Sequence, residues 1–174
     1  MLRLRQTLAA QEVVLRDLLA TLGQQAAAHA ETPMVARTYS QHATPTSWGA
    51  VLAQWGAPLA DALDDLETLK QRALWVSLSG ASGTASALGP QADDTRARLA
   101  DALKLSDPGR SWHTDRGPIM RVADWMARIV ATLAAVGQGT IALAATDCNE
   151  VALAGAGASS TMPQKQNPVG PSSL

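Results

Sequence analysis

Residues 48–73 read WGAVLAQWGAPLADALDDLETLKQRA, and within them Trp48, Leu52, Trp55, Leu59, Ala62, Leu66, Leu69 and Ala73 alternate steps of four and three without a break. Such a stripe keeps one face toward a partner only when long helices pack nearly parallel or antiparallel, at crossing angles of roughly 20°. The same rhythm recurs on both sides. Upstream, Leu4, Leu8, Leu15, Leu18 and Leu22 fall in the apolar slots and Gln11 fills the one polar slot; downstream, Ile119, Val122, Met126, Ile129, Leu133, Val136, Thr140 and Leu143 repeat the pattern. Each striped segment runs about 25–30 residues, on the order of 40 Å as a helix. The fold class this predicts is all-α: an elongated bundle of long, near-antiparallel helices, one domain over residues 1–174.

The breaks are placed by local chemistry. Glu31-Thr32-Pro33 ends the first helix, because proline disfavours helical geometry in the residue before it. Thr46 or Ser47 caps the second. Pro58 lies inside the second stripe and is expected to kink that helix rather than end it, since the rhythm continues in phase beyond it. Ser77 to Gly89 reads as a Gly/Ser/Ala connector, Pro90 suits the first turn of a shorter helix running to about Leu105, and Asp107-Pro108-Gly109 is a turn. His29 is read as a partner for the C-terminal dipole of the first helix.

Composition narrows the function classes. Hydrophobic residues make up 47% of the 174, yet Phe is absent and Tyr occurs once. The core must therefore come from Leu, Ala, Val, Ile, Met and Trp, which favours helices over a large sheet. A net charge of −1 gives no electrostatic case for nucleic acid or anionic membrane as the main partner. The single cysteine, Cys148, excludes an internal disulfide and a Cys-cluster metal site, and suits a reducing cytoplasm. No uninterrupted apolar run approaches a membrane span, and Met1 to Gln6 lacks the apolar centre of a signal peptide. Three long stripes carry more apolar surface than one short chain can bury, Trp48, Trp55 and Trp125 included, so a helical homo-oligomer is expected.

Three stretches carry chemistry. Ala154-Gly155-Ala156-Gly157-Ala158 is a run of small residues that packs no core, and it leads into Ser159-Ser160-Thr161-Met162-Pro163-Gln164-Lys165-Gln166-Asn167-Pro168. Hydroxyls and successive backbone N–H groups surround a carboxylate well, a lysine adds a point charge and an asparagine an oriented amide. Residues 154–167 are therefore expected to form a mobile loop that closes over an anion. Arg37 to Pro45 places a guanidinium, hydroxyls, an amide and the His42 imidazole just before a helix start, where anions are favoured. Trp112-His113-Thr114-Asp115-Arg116 precedes the third long helix. It reads either as an anion site, or as a helix start in which Thr114 and Asp115 cap N–H groups.

The pattern S-S-T-M-P-x-K-x-N-P from Ser159 to Pro168 resembles the signature loop of the fumarase/aspartase superfamily, which includes argininosuccinate and adenylosuccinate lyases and a cycloisomerase branch. Tyr39-Ser40-Gln41-His42 resembles that branch's version of a second signature region; the lyases read Thr-His where this chain has Thr38-Tyr39. Trp112-His113 is similar to a third region, Trp-His-x-x-Arg-Asp, with Gly117 in place of the final Asp. The resemblance runs through the whole chain in order. It implies proton transfer at a carbon next to a carboxylate, here as intramolecular lactonisation of a muconate tricarboxylate. By resemblance Ser159 and His42 are catalytic, Thr38, Gln41, Ser160, Lys165 and Asn167 hold substrate carboxylates, Arg116 positions an anion and His113 forms a polar wall. It further implies a small polycarboxylate substrate, no metal or organic cofactor, no nucleic-acid or membrane partner, and a homotetramer whose sites draw loops from different subunits. The superfamily has a further signature region upstream of Met1 and a helical domain beyond Leu174, so the resemblance implies the central part of a longer enzyme.

The signature loop departs from the branch at three positions. Ala158 replaces a glycine, and Gln164 and Gln166 stand where the cycloisomerases carry His and Arg. The other readings are a lyase releasing fumarate from a succinyl adduct, against which Tyr39 argues, and a non-catalytic helical oligomerisation module.

Overall fold

The computed structural model describes residues 1–39, 41–155, 157, 161–162, 165 and 167–174. In order it contains α1 (Leu2–Ala28), β1 (Pro33–Thr38), β2 (Gln41–Ser47), α2 (Trp48–Asp64), α3 (Leu66–Ala73), a 3-10 turn (Ser86–Gln91), α4 (Ala92–Leu103), α5 (Gly117–Leu143) and α6 (Val169–Ser172). The chain is mostly helical, as the stripes require. The backbone groups into two compact units, Met1–Met126 and Ala127–Leu174.

In the first unit the 48–73 stripe is the buried face. Leu52, Leu59, Ala62, Leu66, Leu69 and Ala73 are buried, and Trp48 and Trp55 are half-buried, edge to face with ring centroids 5.4 Å apart. The helix continues through Pro58 and is interrupted at Asp65 instead. Asp65 keeps right-handed helical angles, and bonds from Asp65 N to Asp61 O (3.0 Å) and from Leu69 N to Asp65 O (2.9 Å) bracket it, so the stripe stays in phase. α1 packs on α2 with Leu8 and Leu15 buried, and Gly56 of α2 faces Leu19 and Leu22. Trp125, expected to exceed what the chain could bury, is 1% exposed. Its Nε1 donates to the Ala62 carbonyl at 2.7 Å, which satisfies the indole inside the core.

Residues 37–38 and 41–45, read from sequence as part of the stretch between two helices, belong to an antiparallel hairpin of β1 and β2. Pro33 and Pro45 bias Thr32 and Thr44 toward extended backbone, and Val35, Thr38, Thr44 and Thr46 are β-branched. Pro45 costs no ladder bond to a third strand, because the sheet has two. The hairpin's base is tied to both flanking helices. The His29 carbonyl accepts from Thr32 N (3.1 Å) and Gly49 N (2.9 Å), and the Thr32 carbonyl accepts from Trp48 N (2.9 Å). Ser47 caps α2 by accepting from Ala50 N at 3.1 Å.

Beyond α3 the chain pairs once with the segment after α4, through Val76 N to Ser106 O and Ser106 N to Leu74 O, both 2.9 Å. Arg96 bridges Asp93 (2.7 Å) and Asp107 (2.6 Å), and Asp107 Oδ1 accepts from Gly109 N (2.8 Å), which pins the expected turn on α4. An open groove of about 350 Å³ between α1, α3 and the end of α4 is lined by Arg5, Lys70 and Lys104 among others. Arg5 donates to the Leu103 and Lys104 carbonyls, and Lys70 pairs with Glu12 and Glu67, so two of these three cations already have partners.

In the second unit the last turns of α5 are closed by the returning chain, with Glu150 N and Val151 N donating to Leu143 O at 3.0 and 3.3 Å. α6 meets α5 at Gly137, where a Cβ would lie 2.5 Å from the Pro171 oxygen. One window of α5 has mean hydropathy 1.4, so by length and composition this helix is long and apolar enough to cross a bilayer. No uninterrupted apolar run is that long, because Arg121, Asp124, Arg128, Thr132, Gln138 and Thr140 interrupt it.

Candidate functional site

The hairpin sets the first group of predicted residues by register. Thr38 pairs with Gln41, and Arg37 pairs with His42. Paired residues project to the same face and neighbours along a strand to opposite faces. Thr38 and Gln41 therefore share one face, while His42 shares the other with Arg37. In the sequence all of them lie in one short cluster, and the register sets the Arg37 guanidinium on the His42 face. All three predicted residues are exposed. Tyr39 follows Thr38 with φ 54°, a left-handed conformation uncommon for a bulky side chain, and its ring is fully exposed.

The second group lies at the start of α5. Asp115 Oδ1 accepts from Gly117 N at 2.7 Å, which is the capping arrangement, and Oδ2 accepts from Arg110 at 2.7 Å. The Arg110 guanidinium beside it, then the Gly117 N–H, hold the Asp115 carboxyl below the usual carboxylate range. Trp112 Nε1 donates to the Val76 carbonyl at 2.7 Å, and its ring meets Trp75 at 6.4 Å. Arg110 and Arg121 stand 5.3 and 5.9 Å from the Trp75 ring centroid. The helix-start reading thus holds for Asp115. His113 and Arg116 are exposed beside it, and among the described residues no acid pairs with Arg116. The arrangement offers a guanidinium and an imidazole to an anion while the local carboxylate is already satisfied.

The third group is in the second unit. Gly157 N donates to Asn167 O at 2.9 Å and Asn167 N to Gly157 O at 3.0 Å, so the signature segment is drawn together at its ends. Within it, Lys165 N donates to Met162 O at 3.0 Å, and the Lys165 side chain is exposed. A Cβ on Gly157 would lie 2.8 Å from a methyl of the exposed Val169 side chain, which would have to turn away. Ser159 and Ser160 lie outside the described residues, as does much of the 154–167 loop.

The family model that matches this chain is described as lyase and covers residues 1–174. The 3-carboxy-cis,cis-muconate cycloisomerase of Pseudomonas aeruginosa is 41% identical over 97% of this chain and 37% of its own length. The enzyme of the same name from Pseudomonas putida is 41% identical over 97% of this chain and 41% of its own length. The crystal structure of the 3-carboxy-cis,cis-muconate lactonizing enzyme from Pseudomonas putida matches with a TM-score of 0.88 at 38% identity, covering 98% of this chain and 38% of that one. The chain spans less than half the length of these relatives.

Proposed function

The chain belongs to the lyase family, and from that premise we propose that it is the central part of an enzyme that lactonises 3-carboxy-cis,cis-muconate. The observation that carries this reading is the 41% identity, through nearly the whole chain, to relatives named for that reaction. Gln41-His42 in the hairpin and Lys165 and Asn167 in the signature segment support it. In the reaction a substrate carboxylate oxygen forms a C–O bond to the conjugated alkene, and the carbon α to another carboxylate takes up a proton. Charge accumulates on that second carboxylate as an aci-carboxylate. Lys165, Asn167 and loop N–H groups stabilise it where it develops, and Thr38, Gln41, Ser160 and Arg116 hold the remaining carboxylates, with His113 as a polar wall. Ser159 handles the carbon-bound proton, and His42 is the second proton-transfer group.

The enzyme acts as a homotetramer with sites built from several subunits. Val13 and Val14 on α1 and Met120 and Val130 on α5 are 60%, 65%, 62% and 59% exposed, apolar area that assembly would cover. Drawing loops from several chains also suits a hairpin that sends His42 and Thr38 to opposite faces.

The longer parent protein should remove the ultraviolet absorbance of 3-carboxy-cis,cis-muconate. Gln166, in place of a planar bidentate arginine, weakens the case for a tricarboxylate, and Gln164 is acceptable in the argininosuccinate lyase branch; release of fumarate from a succinyl adduct without lactonisation would establish that rival. Absence of both activities in the parent would leave the non-catalytic oligomerisation module.

A further inference from the structure

The connector after α3 folds into a tight turn against His113. Gly80 N donates to Thr84 O at 2.7 Å, and Gly83 N to Gly80 O at 3.0 Å. Gly83 takes φ +76°, and a Cβ there would lie 3.7 Å from both His113 Cβ and Ser111 Oγ. The turn therefore lies beside the His113 segment, with room between them for a methyl group. On this turn three hydroxyls form a chain, Ser82 Oγ to Thr84 Oγ1 at 3.1 Å and Thr84 Oγ1 to Ser86 Oγ at 3.2 Å.

Three hydroxyls carry three protons, and two hydrogen bonds use two of them. One O–H is left, at the end to which the chain points or on Thr84 where both serines donate to it, and polarisation by its neighbours strengthens it as a donor. The neighbouring segment is also rich in donors. His113 and Arg116 are exposed, and both oxygens of Asp115 are already engaged by Gly117 and Arg110. A place with surplus donors and its local carboxylate satisfied favours a ligand that only accepts. We infer that the Gly80–Ser86 turn is a second carboxylate-binding element beside His113, with the Ser82–Thr84–Ser86 chain donating to one carboxylate group of a polycarboxylate ligand. This rests on the reading of His113 as a wall of the substrate site, and extends that site to a turn no signature motif includes.

The test uses a non-reacting probe, tricarballylate, on the 174-residue chain. The three histidines, His29, His42 and His113, give resolvable ring signals by proton NMR, and a His113→Gln variant identifies the one concerned. Tricarballylate should move the His113 signal saturably. Thr84→Val, which removes the central hydroxyl at nearly constant volume, should raise the apparent Kd at least about fivefold, and Thr84→Ser should restore it. Ser82→Ala with Ser86→Ala gives an independent second variant with the same expected loss. An unchanged Kd in both variants, or a His113 signal that does not respond to the probe, would overturn the inference. Turnover is not read, so failure here is distinct from failure of the parent to lactonise its substrate.

Discussion

A methyl group at Gly49 would lie 2.8 Å from the Cα and N of Ala30, with the Ala26 carbonyl oxygen nearer still. Gly49 lies in the first turn of α2, where the gain of alanine over glycine is below the roughly 1 kcal/mol of a helix interior. Here the clash, at roughly 1–3 kcal/mol, outweighs it, because the His29–Gly49 bond holds the two backbones together. Gly49→Ala should lower the urea midpoint of this chain at unchanged m. Trp125→Phe should also destabilise, by about 1–3 kcal/mol, since the buried Ala62 carbonyl loses its donor; thermal unfolding with retained far-UV dichroism would check it. At this scale the sequence showed which side chains could do chemistry, but not which share a face. Thr38, Gln41 and His42 look like one cluster because they are adjacent in sequence, and only the strand register separates them. The meeting of Gly83 with His113 joins positions thirty residues apart, and neither motif announces the other.

The elements were legible where a period repeats. The 48–73 stripe predicted six residues that are buried, and Ser47 caps where a cap was expected; Ser47→Ala should cost about 1 kcal/mol, read by thermal unfolding. The hairpin was not legible, since β2 is exposed from Gln41 to Pro45 and carries no alternating apolar face. Pairing and the tied base define it, and both are long-range. Between elements, Glu12 of α1 meets Lys70 of α3 at 2.7 Å. The hydrogen bond from Lys70, then that from Arg16, holds the Glu12 carboxyl below its ordinary range. A depressed folded value means the contribution is complete above about pH 5.5 and is lost as pH falls through roughly 4.5 and below. The pair is partly exposed, so its worth is about 0.2–1 kcal/mol. Lys70→Met should flatten the acid limb of the stability curve between about pH 5 and 3, and leave the neutral limb nearly parallel.

For the whole molecule, the stripes indicated excess apolar surface but not where it lies, because facing partners are set by tertiary packing. Trp125 turned inward, and the exposed area falls instead on Val13, Val14, Met120 and Val130. If the parent is the proposed tetramer, Val14→Lys combined with Val130→Lys should shift it to smaller species by light scattering while helicity persists. In the same parent, Ser159→Ala should lower turnover on the order of 10²-fold or more, and a change within about threefold would remove Ser159 from the chemistry.

The Arg5 bonds to Leu103 and Lys104 span 98 and 99 positions of sequence. On a ribosome adding about 5–20 residues each second, their partners emerge roughly 5–20 s after Arg5 is made. α2, which packs on α1, also arrives some seconds late. Newborn α1 therefore waits with its leucine stripe uncovered. This interval suits a holding chaperone, and synonymous codons that slow translation between 49 and 104 should increase aggregation of the nascent chain without altering the finished protein.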